Sequence, residues 1–460
     1  MYQKFNYTWL ADKCICILLV LSMFSVVRTE VAGFPVYSLL LLTVVSVWML
    51  GKILYAGREG QQFLMVRYRT DTAAFAAILY AVISAVIKLF SNSDEGWIDF
   101  SWNAEVIALA VLCLLVSAET QFRALYLDLL LYSGLLTAGV YMLLNLTDGL
   151  ETDRLLAAFS DSGQTASYFM LVGMVSVYAC CTGKDKMRSV FYMMTAGVSF
   201  MALFVNQSSI SLWMMAFYFL ALPVVLRPTA LLVKRVMQLF FMYLFMLSNM
   251  SILTENTDIF RKEIFYSLQH SVYVDLLVAA GGAVFFYYWE RIPAGTELER
   301  LVLRKLQKGY RMLVKVIALL FVVTAVAGGR IELPGKAVDD MFRTFVLPLS
   351  EEMSGRESGF WCVFRGYGVI PGLFLIIMIV LFADRMYRNY AEDKPVTGAL
   401  SLISGIFVAQ LLFWNPGLHN IVCYFYLILT ASFYKEERKQ VKSIGISVAD
   451  LELKMQEIQV

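Results

Sequence analysis

The chain has 460 residues, 59% of them hydrophobic and 16% charged, with a formal net charge of +2 and a mean hydropathy of +0.67. Polar surface is too scarce for a soluble globular protein of this length, and no ATP-binding loop, dinucleotide-binding loop or nucleic-acid-binding pattern interrupts the sequence. The composition predicts an all-α protein, a polytopic transmembrane helical bundle with the bilayer as its solvent.

Apolar centres recur along the chain at residues 14–27, 35–54, 73–90, 104–117, 125–144, 167–181 and 190–205, then at 212–226, 237–253, 272–288, 313–327, 360–382, 400–413 and 421–433. A spanning helix takes roughly 17 to 25 residues with its interfacial ends, so these runs predict about 12–14 spans joined by short connections. The first run is followed by Arg28 and Glu30 without a small-x-small cleavage site, which predicts a span and not a removed signal peptide.

Lys and Arg in short loops stay cytoplasmic, so the breaks between runs predict the topology. Alternate breaks are basic: Lys52, Arg58, Arg67 and Arg69; Arg123; Lys184, Lys186 and Arg188; Arg227, Lys234 and Arg235; Arg300, Arg304, Lys305, Lys308, Arg311 and Lys315; Arg385 and Arg388. The breaks between them are acidic or neutral, with Asp94, Glu95 and Asp99, then Asp148, Glu151, Asp153 and Asp161, then Asn206 to Ser209. This alternation predicts an even number of spans with both termini cytoplasmic. Residues 1–434 then form a single membrane domain, and residues 435–460, opening on Lys435, Arg438, Lys439 and Lys442, a cytoplasmic tail.

Among the longer breaks, residues 290–315 read as a cytoplasmic interfacial helix, because leucines and Val302 recur at helical spacing opposite basic groups, as suits a surface anchor on anionic lipid. The seven cysteines sit in or at the edges of apolar runs, where cysteine behaves as a small hydrophobe, and their spacing suggests neither a disulfide frame nor a metal site. With only two histidines, His270 and His419, a histidine-rich metal centre is nearly excluded. By the predicted topology both lie at outer helix entrances, where each is either a cap or a base, and His419, in the tight turn Trp414-Asn-Pro416-Gly-Leu-His-Asn420, is the better candidate base. Asp128 is the ionisable residue set deepest in an apolar run, near enough to its start to snorkel or to pair with Arg123.

The longest outer segment, residues 329–358, mixes Arg330, Glu332, Lys336, Asp339, Asp340, Arg343, Glu351, Glu352, Arg356 and Glu357 with apolar residues suited to a membrane surface. It runs into Glu357-Ser-Gly-Phe-Trp361-Cys-Val-Phe-Arg365-Gly-Tyr367-Gly-Val-Ile-Pro-Gly372, a carboxylate at an outer helix entrance followed by a glycine-rich turn inside an apolar run. Earlier, Ser162-Gly-Gln164-Thr-Ala-Ser167 opens one span, and the next but one opens after Asn206-Gln-Ser208-Ser209-Ile-Ser211. Together these segments resemble the O-antigen polymerase and ligase superfamily of bacterial membrane glycosyltransferases. There a polar residue precedes an aromatic or leucine pair and a Gly-Ile/Leu-x-Gly turn, and a Ser-Arg pair marks the earlier junction. Ser209 stands where that arginine is expected, and Glu357 stands where ligases have histidine, which argues for a polymerase.

The resemblance implies transfer of a glycan from a polyprenyl diphosphate to an acceptor hydroxyl at the outer leaflet of the plasma membrane. Arginines suit the diphosphate because a guanidinium donates two parallel hydrogen bonds to phosphate and stays charged at an interface. Arg330, Arg343, Arg356 and Arg365 are the candidates, joined by Ser208 and Ser209 as substrate-binding residues, with Glu357 and His419 as candidate catalytic bases. The implied partners are the polyprenyl-diphosphate-linked glycan, membrane lipids and other polysaccharide-assembly proteins, with no nucleic acid. No cofactor and no metal is implied, since the leaving group is already on the donor. Two other classes stay open: a lipid-linked oligosaccharide flippase or other secondary transporter, which should line a central cavity with charges and often shows an internal repeat, and a ligase or non-catalytic envelope scaffold.

Overall fold

The computed structural model describes residues 7–21, 24, 36–58, 120–147, 159, 162–182, 186–206, 208–225, 230–254, 272–291 and 301–305, with isolated positions at 308–309, 312–313, 315–316, 319–320, 323, 402–403 and 406. These residues are helical almost throughout, and no strand occurs among them. In chain order the helices are α1 (Tyr7–Leu21), α2 (Val36–Arg58), α3 (Thr120–Thr147), α4 (Ser162–Thr182), α5 (Lys186–Asn206), α6 (Ser209–Val225), α7 (Ala230–Thr254) and α8 (Val272–Glu290). Three contain stretches long and apolar enough to cross a membrane: Leu125–Leu144, Gly163–Thr182 and Met187–Asn206. The apolar centres at 73–90, 104–117, 360–382 and 421–433 lie outside the described residues.

Each described helix coincides with one apolar centre of the sequence but runs past it. α3 starts at Thr120, five residues before its apolar stretch, and α4 at Ser162, five residues before the run at 167–181. A helix satisfies its own backbone groups, so it continues into polar residues where the apolar signal has already faded.

α4 is the centre of the bundle. In its apolar stretch 83% of the residues are buried, against 33% in α3 and 50% in α5, and α3, α5, α6 and α7 all pack on it. Its sequence suits that position, being free of charge from end to end and apolar or small on every face. α1 packs on α3, α2 on α1, and α8 on α7. α3 instead shows a stripe of exposed apolar residues, Tyr132, Leu136, Val140 and Leu143, opposite buried Leu130, Leu131, Ala138 and Tyr141.

Close contact is made by small residues and by rings. A side chain on Gly134 of α3 would collide with both methyl groups of Val172, so these backbones approach as only glycine allows. Between α5, α6 and α7 the Tyr243 ring lies 5.3 Å from Phe200 at 88°, 5.0 Å from Phe204 and 5.5 Å from Phe219. A second aromatic group joins Phe24, Phe159 and Tyr168, each pair of rings 5.2 to 5.4 Å apart. Leu402, Ile403 and Ile406 are buried in the same apolar core, so sequence far beyond α8 returns to the bundle.

Three hydroxyls inside this core are satisfied within their own helices. Ser176 donates to the carbonyl of Val172 at 2.6 Å, Thr195 to Phe191 at 2.9 Å and Ser199 to Thr195 at 2.7 Å, back-bonds that let a helix carry hydroxyls in an apolar setting. Between helices, Ser133 donates to its own helix at Leu130 and lies 3.1 Å from the Tyr168 hydroxyl, Tyr243 donates to the Leu212 carbonyl at 2.9 Å, and Tyr37 donates to the Leu18 carbonyl. Pro223 has no N–H to give to the Phe219 carbonyl, and α6 ends two residues later, so the interruption is confined to its last turn.

Candidate functional site

The three-residue connection between α4 and α5 makes them antiparallel neighbours, and only residues 207 and 208 separate α5 from α6. The start of α4, the end of α5 and the start of α6 therefore share one end of the bundle. Both short segments noted in the sequence, 162–167 and 206–211, lie there, although neither is adjacent to the other along the chain. Thr165, Ser167 and Ser211 are fully buried at this end, and Tyr141 of α3 faces Asn206 of α5. Among the described residues at this end of α3, α4, α5 and α6 none is charged, so the site is a hydroxyl- and amide-lined pole, able to donate and accept hydrogen bonds but not to neutralise an anion by itself.

Ser208 has a defined local task. It stands just before α6, its hydroxyl oxygen accepts from the Ser211 N–H at 3.5 Å, its hydroxyl donates to Ser211 Oγ at 3.1 Å, and its carbonyl accepts from the Leu212 N–H at 3.0 Å. That is the arrangement of a helix N-cap, which satisfies donors that a helix start leaves open. Ser208→Ala is expected to lower stability by about 1 kcal/mol, whereas Ser208→Asn should keep the cap. Thermal unfolding of the purified protein in detergent checks this, and loss of activity in a stable Ser208→Asn protein would reveal a substrate contact in addition to the cap.

Ser209 opens α6, placed one residue from the cap. The remaining candidates, Arg330, Arg343, Arg356, Arg365, Glu357 and His419, lie outside the described residues, as does most of the 290–315 segment. Among the described residues no group of three or more His, Cys, Asp and Glu side chains is placed to hold a metal ion.

The opposite end of the same helices is charged. Arg235 of α7 donates from Nη1 to the Cys180 carbonyl at 2.9 Å, closing the last turn of α4 with a cation where carbonyls and the helix dipole are negative. Cys180 and Cys181 are buried beside it, and the Cys180 thiol points at the Ser189 carbonyl of α5. Asp128 of α3 faces the charge of Arg188 on α5, with Tyr192 alongside. The sequence offered Arg123, close along the chain, as a partner of Asp128; its side chain lies outside the described residues, and the packing of α3 on α5 adds the charge of Arg188. Arg235→Ala should lower stability by about 1 kcal/mol, read as a shift in the melting temperature of the detergent-purified protein. Comparison of the chain with family models, with curated proteins and with solved structures finds no match in any of the three.

Proposed function

We propose that this chain is a polytopic membrane protein of about 12–14 spans, a polysaccharide polymerase that joins undecaprenyl-diphosphate-linked oligosaccharide repeat units at the outer leaflet of a bacterial plasma membrane, with both termini cytoplasmic. The observation that carries this reading is the convergence of segments 162–167 and 206–211, the earlier of the two regions of family resemblance, on one uncharged end of the α4–α5 hairpin, while Arg188 and Arg235 lie at the other end. In this reading the anionic donor enters at the uncharged end, and the cations for its diphosphate come from Arg330, Arg343, Arg356 and Arg365. The bond between the anomeric carbon and the diphosphate oxygen breaks, a bond to the acceptor hydroxyl oxygen forms, and Glu357, or His419 in its place, takes the hydroxyl proton. Undecaprenyl diphosphate leaves with the electron pair. Cells lacking the gene should make envelope glycan of single repeat units, with long chains restored by the wild-type gene; long chains persisting in the deletion would refute the polymerase.

One observation favours a transport reading. Asp128 lies within the apolar stretch Leu125–Leu144 facing the charge of Arg188, and ionisable residues brought together inside a membrane segment mark ion and proton pathways in transporters. A flippase predicts that Asp128→Asn blocks the appearance of lipid-linked repeat units at the outer face. A polymerase predicts that such units accumulate there unpolymerised when the gene is deleted.

A further inference from the structure

α8 ends in a run of rings, Phe285-Phe-Tyr287-Tyr288-Trp289. Phe285 and Trp289 stack at 5.3 Å with planes 18° apart, and the Arg291 guanidinium lies 4.0 Å over the Tyr287 ring. Arg291 is fixed from its backbone as well, since its N–H donates to the Tyr288 carbonyl at 3.2 Å. Tyr287 and Tyr288 are 53% and 64% exposed, so this cluster does not serve the core. Tyrosine and tryptophan with an adjacent arginine are the residues that settle at headgroup depth, the rings among the upper acyl carbons and the cation among the phosphates. The chain then turns basic: between Arg291 and Lys315 there are seven basic residues against two acidic ones. Residues 301–305 are helical, with Leu301, Arg304 and Lys305 exposed, and Lys308 is exposed beyond them. Met312, Leu313 and Val316, further along, are exposed and apolar.

We propose that the end of α8 and the basic stretch after it form a binding surface for the headgroups of anionic phospholipids, with Arg291, Arg304, Lys305 and Lys308 pairing with phosphate and Tyr287 and Tyr288 holding the depth. The charge identifies the occupant. A zwitterionic headgroup gains nothing from this excess of cations, and a protein partner would need an acidic face to match it, whereas an anionic leaflet presents that face continuously. The exposed apolar side chains that follow suit the acyl region beneath those headgroups. The inference rests on the membrane reading but not on the polymerase.

Native mass spectrometry of the full-length protein, released from nanodiscs of equal phosphatidylglycerol and phosphatidylcholine, tests it. The wild type should retain phosphatidylglycerol with at least about a fivefold preference, the gain expected from even one basic side chain at the headgroups. Replacing Arg291, Arg304, Lys305 and Lys308 together by glutamine should abolish the preference, and replacing Lys435, Arg438, Lys439 and Lys442 should leave it. Equal retention of both lipids by the wild type, or loss of preference only in the tail variant, would overturn the proposal. A chain that stays soluble and never enters the nanodisc would instead overturn the membrane reading on which it rests. Folding of each variant is checked by its melting temperature, and single Arg291→Gln and Lys305→Gln proteins, each expected to lose about fivefold or less, replace a quadruple variant that fails to fold.

Discussion

Glu357→Gln is expected to leave cells with single repeat units in place of long glycan chains, at normal protein level in the membrane. A positioned general base contributes roughly 10² to 10⁴ in rate, and glutamine keeps the size and hydrogen-bonding reach of the side chain while removing its ability to accept the proton. Arg343→Ala should have a comparable but softer effect, because four arginines share the candidate diphosphate role and a neighbour can cover part of the lost charge. Arg343→Lys should recover little, since an ammonium keeps the charge without the paired donors. The measurement is the envelope-glycan length profile at matched expression, scored beside the gene deletion. A Glu357→Gln strain with wild-type chain lengths would remove Glu357 as the base, and His419→Gln would be the next variant to score. Wild-type lengths in both would end the enzyme reading of this outer loop.

Gly134→Leu is the substitution expected to harm folding most. Even the first carbon of a side chain at this position overlaps both methyl groups of Val172, and α4 cannot retreat because α5, α6 and α7 pack on it. Overpacking of this kind costs roughly 1 to 3 kcal/mol, and more where backbone must move. Gly134→Ala should already destabilise, although alanine is the better helix former by about 1 kcal/mol. Gly139, on the same helix, supplies the control, because a side chain there meets no atom of the described residues within 4 Å, so Gly139→Ala should be neutral or stabilising. Pairing Gly134→Ala with Val172→Ala should recover part of the loss. Melting temperatures of the detergent-purified proteins decide it, and a Gly134→Leu protein as stable as wild type would mean that α3 does not pack on α4 as described.

Much of the helical layout was legible before any coordinates. The apolar centres at 125–144 and 190–205 coincide with the stretches of α3 and α5 that are apolar enough to span a membrane, and the centres at 212–226, 237–253 and 272–288 lie within about a turn of α6, α7 and α8 at most ends. α1 was less legible, since Asp12 and Lys13 fall inside the helix and hide its first two turns from an apolar reading. The site was legible only as two segments. The Ser208 cap was written in the sequence as a serine three residues before another serine at a helix start, a weaker form of the usual capping pattern. The contact of Arg235 with the Cys180 carbonyl and the nearness of the Arg188 charge to Asp128 were not legible, because each joins helices whose neighbourhood the sequence does not state.

The sequence by itself determined that this chain is helical and apolar enough for lipid, because hydropathy and backbone self-sufficiency act residue by residue and turn by turn. It also determined where the charges lie, since basic residues at 184–188 and 227–235 fall between apolar runs. Only the tertiary structure decided that α4 is the enclosed helix while α3 keeps an apolar face outward, that Gly134 meets Val172, and that segments 162–167 and 206–211 come to one end. In a helix made almost wholly of apolar residues the side facing protein and the side facing lipid look alike in sequence. What separates them is shape, the fit of a glycine to a valine or of Tyr243 among Phe200, Phe204 and Phe219, and shape exists only once the helices are packed.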